Sequence, residues 1–587
     1  MKLIPLQIAH ALLPSVEKLT GQSLSPMGLV KPCQDPSHGD YQCNAAMSLA
    51  RGLKQNPRDL AARIIESSDL GALCETPQIA GPGFINFRLK PEYLASQLTR
   101  MDTEPRLGVE PVTSPRTIVV DFSAPNVAKQ MHVGHIRSTI LGDCLARILR
   151  FLGHRVVTDN HIGDWGTQFG KLIVGYKRHL DAAALERDPI AELERLYKTV
   201  NSACEEEEKQ GTQTLMTACR EELRKLQEGD AENLALWRLF IDLSKGQFES
   251  VYGRLGVKFD HTLGESFYNP MLKGIVQELL DRKVAEPSQG AVCVFFPENK
   301  ELAEKPFLIQ KSDGAALYAT TDLATLRYRQ EHFAADEIIY VTDGRQQLHF
   351  KQLFATAQKW GIRMKLVHVW FGAILGENGK PIKTRSGDPI KLVDLLDEAE
   401  SRSRAIFHEL EMERQKKGIP VDSLSDDVLD RVVRVVGLGA VKYADLVQNR
   451  TSDYVFDWDK MLSMQGNTAP YLQNAYARIR SIQRKSGSVP AGGVAAWKLD
   501  TPQEIRLAAH LLKFGETLEV VVDDSRPNIL CLYLYDLAGH LHSFYEHCNV
   551  LNAEGPLRES RLRLIDLTAR TLREGLELLG IDVVERM

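Results

Sequence analysis

No CxxC pair occurs anywhere in this chain, although nine cysteines are present, at positions 33, 43, 74, 144, 204, 219, 293, 531 and 548. Their scatter excludes a zinc ribbon and a redox dithiol. An odd, unclustered set of thiols fits a reducing compartment, so a cytoplasmic location is expected. An apolar run of about 18 residues, the length needed to span a bilayer, is also missing, and no membrane partner is expected. The opening stretch MKLIPLQIAHALLPSVEKL is amphipathic and lacks the long apolar run and small-residue cleavage site of a signal peptide. Excess positive charge is absent as well. The net charge is −5, so any nucleic-acid surface must be local rather than global. There is no repeat, and the one compositionally biased tract, SGSVPAGGVAA at 486–496, reads as a loop. What is present is an ordinary globular balance, 43% hydrophobic and 25% charged, over 587 residues. That length predicts roughly three to five domains.

Residues 1–108 read as a small α+β unit. It opens on a helix, contains SHGDYQCNAAMSLARGL as a turn feeding a second helix, and closes on GPGFINFRL, a Gly/Pro turn and a strand. PRLGVEPVTSPR, with Pro105, Pro111 and Pro115, is a linker. The pattern then changes. TIVVDF from Thr117 is a buried-type strand. It is followed by a helix with Ile136, Ile140, Leu141, Cys144, Leu145, Ile148 and Leu149 at helical spacing, a stop at Gly153, and the strand RVVTDNH. Strand, helix, strand predicts a βαβ unit, a parallel sheet and an α/β fold. Residues from about 172 to 300 are charged and helical, an insertion whose acidic run Glu205–Glu208 is a solvated helix face. Strand patterns resume in PFLIQKSDG, EIIYVTDG and LVHVWFGAIL, and from about residue 400 helical periodicity runs to the end. The expected domains are 1–108, 109–400 with its insertion, a helical connection 401–455, and an all-α domain 456–587.

The stretch DFSAPNVAKQMHVGHIRSTILGD, Asp121 to Asp143, places two histidines around a glycine where a strand gives way to a helix. In parallel α/β sheets ligands bind where strands end and helices begin. A helix N-terminus attracts phosphate through free N–H groups and partial positive charge. His132 and His135 sit at that terminus, Lys129 adds a full charge nearby, and Gly134 lets a ligand approach closely. A metal site is a rival reading, but metal-binding helical histidines favour i, i+4 spacing and this pair is i, i+3. An ordinary turn with two satisfied histidines is the third.

MHVGH after a strand resembles the HIGH signature of class I aminoacyl-tRNA synthetases. The longer SAPNVAKQMHVGHIRSTILGD, with NHIGDWGTQFG at 160–170, closely resembles the arginyl-tRNA synthetases. GDYQCNAAM and GPGFINF look like that family's N-terminal domain, and GAVKYADL, YLQNAYARIRSI and the terminal ERM look like its helical anticodon-binding domain. The resemblance covers essentially the whole chain. It implies a Rossmann-type, doubly wound catalytic domain with a helical insertion. It implies an arginine–tRNA ligase that forms arginyl-adenylate and pyrophosphate from arginine and ATP, with magnesium entering on ATP, then charges the terminal ribose 2′-hydroxyl of tRNA-Arg. No resident metal, no DNA partner and a monomeric state are implied, and bound tRNA is expected to be needed for the first step. The alternative is a catalytically inactive paralogue that keeps tRNA or arginine binding.

Residue by residue, the resemblance assigns His132, Gly134 and His135 to ATP, and Ala124, Pro125, Asn126, His135, Tyr318, Asp322 and Gln346 to arginine. The physics agrees for Asp322: an always-charged planar guanidinium takes a carboxylate as its natural partner. The family's mobile lysine loop falls on LGENGKPIKTRSGDPIKL, which reads KPIKTRSG where the general pattern is KMSKS. Lys380, Lys383, Thr384 and Arg385 are assigned to ATP, with Lys129 standing in for the missing lysine. An editing domain is not expected, because a site built for a charged fork rejects neutral analogues strongly. RNA contacts are expected from Tyr41, Gln42, Asn86 and Phe87 near the amino end, and from Trp458, Met461, Asn467, Tyr471, Arg478 and Arg480 near the carboxyl end.

Overall fold

A computed structural model of the chain describes residues 3–376, 379–380, 382, 390–418, 424–487 and 497–587. The loop expected at 486–496 lies almost wholly outside the described residues. The chain divides into two compact units. One comprises Met1–Val112, Met464–Glu577 and Asp582–Met587; the other comprises Thr113–Ser463 and Leu578–Ile581.

The second unit is built on four parallel strands: Thr117–Asp121, Arg155–Asp159, Glu337–Asp343 and Lys365–Phe371. In space they lie second, first, third, fourth. The direction of winding therefore reverses between the first and third strands, which is the topological switch point of a doubly wound sheet. The first strand is β-branched and buried on both faces, with Ile118, Val119 and Val120 fully inaccessible, as a parallel strand covered by helices should be. The helix that returns from it, Val133–Phe151, buries Ile136, Ile140, Leu141, Cys144, Leu145, Ile148 and Leu149, the face read from the periodicity. It stops before Gly153, whose φ of 95° an L-residue rarely adopts.

The insertion departs from expectation in one respect. Helices Gln168–His179, Pro189–Lys209, Thr214–Glu228 and Ala231–Leu255 are present, but the last part is a three-stranded antiparallel sheet. Its strands are Glu286–Ser288, Ala291–Val294 and Phe307–Gln310. Gln289 and Gly290, both at positive φ, form the two-residue turn of the first hairpin. The charged helices around it mask this short apolar run in any composition-based reading. Among the described residues of the second unit beyond 400, the regular elements are helices except for Tyr454–Val455, which pairs in parallel with Ile374–Leu375.

The first unit joins both ends of the chain. Strands Val30–Pro32, Tyr41–Cys43, Phe84–Phe87 and Gln78–Ala80 form an antiparallel sheet in that order. Helices Ile4–Thr20, Ala45–Leu53, Pro57–Glu66 and Pro91–Thr103 accompany this sheet, and five more, from Ala469–Ser486 to Gly555–Leu578, come from the carboxyl-terminal part. Asp102 at the end of helix Pro91–Thr103 is buried, and it accepts from the guanidinium groups of Arg563 and Arg570.

Candidate active site

The carboxyl ends of the first and third strands carry the candidate site. The backbone leaving the first strand is strained: Ser123, Ala124 and Ala128 all have positive φ, at 75°, 48° and 59°. Strain of this kind persists only where the surroundings over-determine it, and here they do. Ser123 N donates to Ser138 Oγ at 2.8 Å, and Ser138 Oγ donates to Val341 O of the third strand at 2.6 Å. Ala124 N donates to Asn160 Oδ1 at 3.1 Å. Gly163 N donates to Pro125 O at 3.0 Å, and Val127 N to Gly163 O at 3.1 Å. An added Cβ on Gly163 would lie 2.3 Å from Asn126 Oδ1, so glycine is what permits this close approach. Ala124 and Asn126 are exposed at the mouth, while Pro125 is buried beneath them. Below the loops Arg329, wholly buried, donates to Asp121 Oδ2 at 2.7 Å and Asp159 Oδ2 at 2.8 Å, tying the ends of two adjacent strands.

His132 is the N-cap of the helix and His135 its third residue. The two are locked reciprocally. Gly134 N donates to His132 Nδ1 at 3.1 Å, and His132 N donates to His135 Nδ1 at 3.1 Å. Each Nδ1 is thus an acceptor, which leaves the proton on Nε2 of each neutral ring. Burial holds the His132 imidazole below its ordinary value, against the opposing pull of Glu194. Burial, with His132 and Lys129 alongside, pushes His135 down to about 3. The site therefore presents two neutral Nε2–H donors at a helix N-terminus, an arrangement suited to phosphate oxygens. Among the described residues no group of three or more His, Cys, Asp or Glu is arranged to hold a metal. Lys129 is exposed, with its ammonium over the Tyr197 ring of the insertion at 5.5 Å from the centroid.

Tyr318 opens the helix Tyr318–His332 and its side chain stands in solvent. Asp322, one turn on, pairs with His349 Nε2 at 2.5 Å. Gln346 is exposed at the start of helix Gln347–Trp360, just past the third strand. Asp322 has a neighbour that the sequence reading missed, Glu265. Burial pushes the Glu265 carboxyl up to about 7, and the charges of Asp164 and Asp322 add to the rise. Its negative charge is felt at Tyr318 too. Glu265 lies in the insertion, where a lone acid among many carries no sequence signal. Its fixed place comes from Gly264, where a Cβ would lie 2.4 Å from the Asp164 carboxylate, and from Ser266, which donates to Asp164 through N and Oγ. Glu265 and Asp322 thus lie near enough to each other, and Glu265 to Tyr318, for their charges to interact, and two carboxylates so placed suit a permanently charged planar cation.

Lys380 is exposed, with its carbonyl accepting from Gly376 N at 2.8 Å. Lys383, Thr384 and Arg385 lie outside the described residues. Four residues expected to touch RNA are instead core. Tyr41, Phe87, Asn86 and Met461 are at most 5% exposed and offer no side-chain face to a base. For Tyr41 the reason is strand alternation, with Tyr41 and Cys43 inward and Gln42 between them more open, whereas Asn86 and Phe87 lie consecutively in a central strand covered on both faces. Gln42, Trp458, Asn467 and Tyr471 are half-buried and Arg478 is exposed. Arg480 is held by Tyr476 Oη at 3.0 Å and by the carboxylate of Asp566.

Three family profiles match the chain. "Arginyl tRNA synthetase N terminal domain" matches residues 6–89, "tRNA synthetases class I (R), catalytic domain" residues 100–458, and "DALR anticodon binding domain" residues 472–587. An arginine–tRNA ligase of Picosynechococcus sp. is 46% identical over 100% of both chains, and one of Marinomonas sp. is 44% identical over 97% of both. Among solved structures, the arginyl-tRNA synthetase of Plasmodium falciparum superposes with a TM-score of 0.83 at 30% identity over 100% of both chains. That of Thermus thermophilus superposes with a TM-score of 0.81 at 25% identity over 99% of both. With a doubly wound sheet, two locked histidines at its switch point and full-length likeness to these proteins, the chain belongs to the arginyl-tRNA synthetase family.

Proposed function

We propose that the chain is an arginine–tRNA ligase acting in protein synthesis. The observation that supports this reading is the presence, in one unit, of a neutral two-histidine pair at a helix N-terminus and a half-buried acidic pair suited to a guanidinium. Asp322, with Glu265, holds the guanidinium, and Tyr318 and Gln346 flank it. The loop Ala124–Asn126 and His135 orient the substrate's α-amino and carboxylate end. The arginine carboxylate oxygen attacks the α-phosphorus of ATP, the bond to the β-phosphate oxygen breaks, and pyrophosphate leaves with that electron pair. Charge grows on the phosphate oxygens during this step. The Nε2–H groups of His132 and His135 are pre-aimed at it, so they stabilise the transition state without reorganisation. Lys129, Lys380, Lys383, Thr384 and Arg385 add donors and cationic charge, and magnesium arrives bound to ATP as part of that substrate. The 2′-hydroxyl of the terminal tRNA-Arg ribose then attacks the acyl carbonyl, AMP leaves, and the hydroxyl proton passes to solvent.

The enzyme works as a cytoplasmic monomer. Gln42, Trp458, Asn467, Tyr471, Arg478 and Arg480 contact tRNA. The test is arginine-dependent ATP–pyrophosphate exchange with tRNA-Arg present, followed by charging of that tRNA. Exchange driven by arginine alone among lysine, glutamine, cysteine and arginine is expected. No exchange and no charging would leave only a binding paralogue.

A further inference from the structure

The loop that leaves the first strand holds three non-glycine residues at positive φ, Ser123, Ala124 and Ala128, and side chains of the insertion brace all three. These side chains come from one helix, Ala231–Leu255. Its buried face carries Ser244, Phe248, Val251, Tyr252 and Leu255 at helical spacing, and two of the five bear hydroxyls. Ser244 Oγ accepts from Ala128 N at 2.9 Å and donates to Phe240 O of its own helix at 2.7 Å. Tyr252 Oη lies 2.7 Å from Ser123 Oγ, in a hydrogen bond that either hydroxyl can donate, and it accepts from Asn160 Nδ2 at 3.1 Å. Asn160 turns its Oδ1 to Ala124 N at 3.1 Å. One phenol thus holds Ser123 directly and Ala124 through a single intermediary.

The far side of Ser123 is fastened to the helix that bears the two histidines. Thr139 Oγ1 shares its proton between Ser123 Oγ and the His135 carbonyl, each at 2.8 Å. Ser123, Thr139, Asn160 and Tyr252 are at most 6% exposed, so bulk water does not replace a lost partner here. Burial pushes the Tyr252 phenol up to about 12, which keeps it neutral and able to donate. Its ring is packed separately. It stands edge-on to Phe259 at 5.0 Å, and Phe259 lies 4.5 Å from Phe122, the residue before Ser123. The ring fills space, and the hydroxyl acts on the loop. No motif marks Tyr252, which reads in sequence as one more core position of a charged helix.

We propose that Tyr252 is a positioning residue for arginine recognition, whose hydroxyl holds Ser123 and Ala124 in the left-handed conformation that presents Ala124–Asn126 to the substrate. The inference rests on the assignment of that segment to arginine made above. Left-handed backbone at a non-glycine residue is uphill and persists only where its surroundings impose it. Without the hydroxyl the loop leaves this conformation part of the time, and apparent arginine affinity falls with the fraction still in place. Saturating arginine restores that fraction, so kcat stays largely intact. The insertion thereby takes part in substrate recognition, although Tyr252 itself meets no substrate.

The test uses the full chain with tRNA-Arg and compares Tyr252→Phe, Ser123→Ala, the double variant and Asn126→Ala. ATP–pyrophosphate exchange gives kcat and the KM of arginine and of ATP, and thermal denaturation gives the melting temperature. Tyr252→Phe keeps the ring. It is expected to raise the arginine KM about ten-fold, the worth of one buried hydrogen bond, with kcat and the ATP KM little changed. Ser123→Ala breaks the same bond from the other side and is expected to do the same, so it carries the test alone should Tyr252→Phe fail to fold. The double variant is expected to be little worse than either single one. A wild-type arginine KM in Tyr252→Phe overturns the positioning role, whatever happens to the melting temperature, because the bond is then structural only. Arginine and ATP KM rising together overturn it too, as do single effects that multiply in the double variant. Asn126→Ala separates the two readings. A raised arginine KM there, beside a wild-type value in Tyr252→Phe, sinks the positioning role alone. An unmoved arginine KM in Asn126→Ala sinks the assignment of the loop to arginine, and the positioning role with it.

Discussion

Asp322 and Glu265 make different demands on pH and on stability. Asp322 is paired with His349, and its carboxylate is the natural seat of a guanidinium. Asp322→Asn keeps the shape and removes the charge. It should raise the arginine KM by roughly ten- to a hundred-fold, the worth of a charged hydrogen bond of about 1.5–3 kcal/mol, with the ATP KM little moved. Steady-state exchange kinetics check this. Glu265 carries a carboxyl lifted from 4.5 to about 7. Between those two pH values the folded chain keeps a proton that the unfolded chain releases. Stability of the free protein therefore falls as pH rises from about 4.5 to about 7, and the penalty is fully present above that. Arginine binding prefers the ionised carboxylate, so the arginine KM should fall as pH rises through about 7. Glu265→Gln should flatten that profile while raising the melting temperature of the free chain at pH 8 relative to wild type. An unchanged profile would remove Glu265 from the substrate site.

At the scale of elements, the helix Val133–Phe151 does two things at once: its N-terminus presents the histidines and its body must lie flat on the strand below. Gly142 is where these meet. Alanine is ordinarily better than glycine inside a helix by about 1 kcal/mol. Here an added Cβ would stand 2.2 Å from Cγ of Phe122, the residue that follows the first strand. Overpacking should win. Gly142→Ala is expected to destabilise the protein by about 1–3 kcal/mol and, by displacing the strand end that leads into Ala124–Asn126, to raise the arginine KM. Thermal denaturation and the same kinetics report on the two effects. Arg137 fixes the other side of this helix. Its buried guanidinium pairs with Asp445 at 2.7 Å and donates to Gly372 O at 2.7 Å, just ahead of the strand Ile374–Leu375 from which the lysine loop departs. Removing Arg137 alone would strand a buried carboxylate, so Arg137→Met should cost about 3–5 kcal/mol, measurable by denaturant unfolding.

At the scale of the whole molecule, the first unit is assembled from segments that lie far apart in the chain. Asp102 and Arg563, which pair in its interior, are separated by 461 residues. Asp102→Ala would remove the buried carboxylate that Arg563 and Arg570 share, leaving Arg570 its second pairing with Asp566. It should lower the stability of this unit by about 3–5 kcal/mol and weaken tRNA binding more than it slows arginine activation per bound tRNA. Calorimetry and the tRNA KM check that outcome. Neither terminal segment of the unit has the other's half of this core, so the helices after Met464 are expected to fold poorly when expressed without residues 1–112.

Much of the plan is readable from the residues alone, wherever an element's identity is a local matter. The βαβ start, the buried face of its helix, the stop at Gly153 and the strand EIIYVTDG follow from apolar periodicity and turn chemistry, which act over a few residues. His132 and His135 were legible as donors at a helix start because a helix terminus is itself local. Tertiary structure decided the rest. Which face of a short strand is buried depends on what packs against it, and so Tyr41 and Phe87 proved to be core while Gln42 is more open. Glu265 feels the charge of Asp322 across more than fifty residues, and Lys391 reaches His132 across some 250 through a backbone bridge, neither of which a local pattern encodes. The physical reason is the same in each case. A side chain's charge state and its partners are set by burial and by distant neighbours, and only the folded chain brings those together.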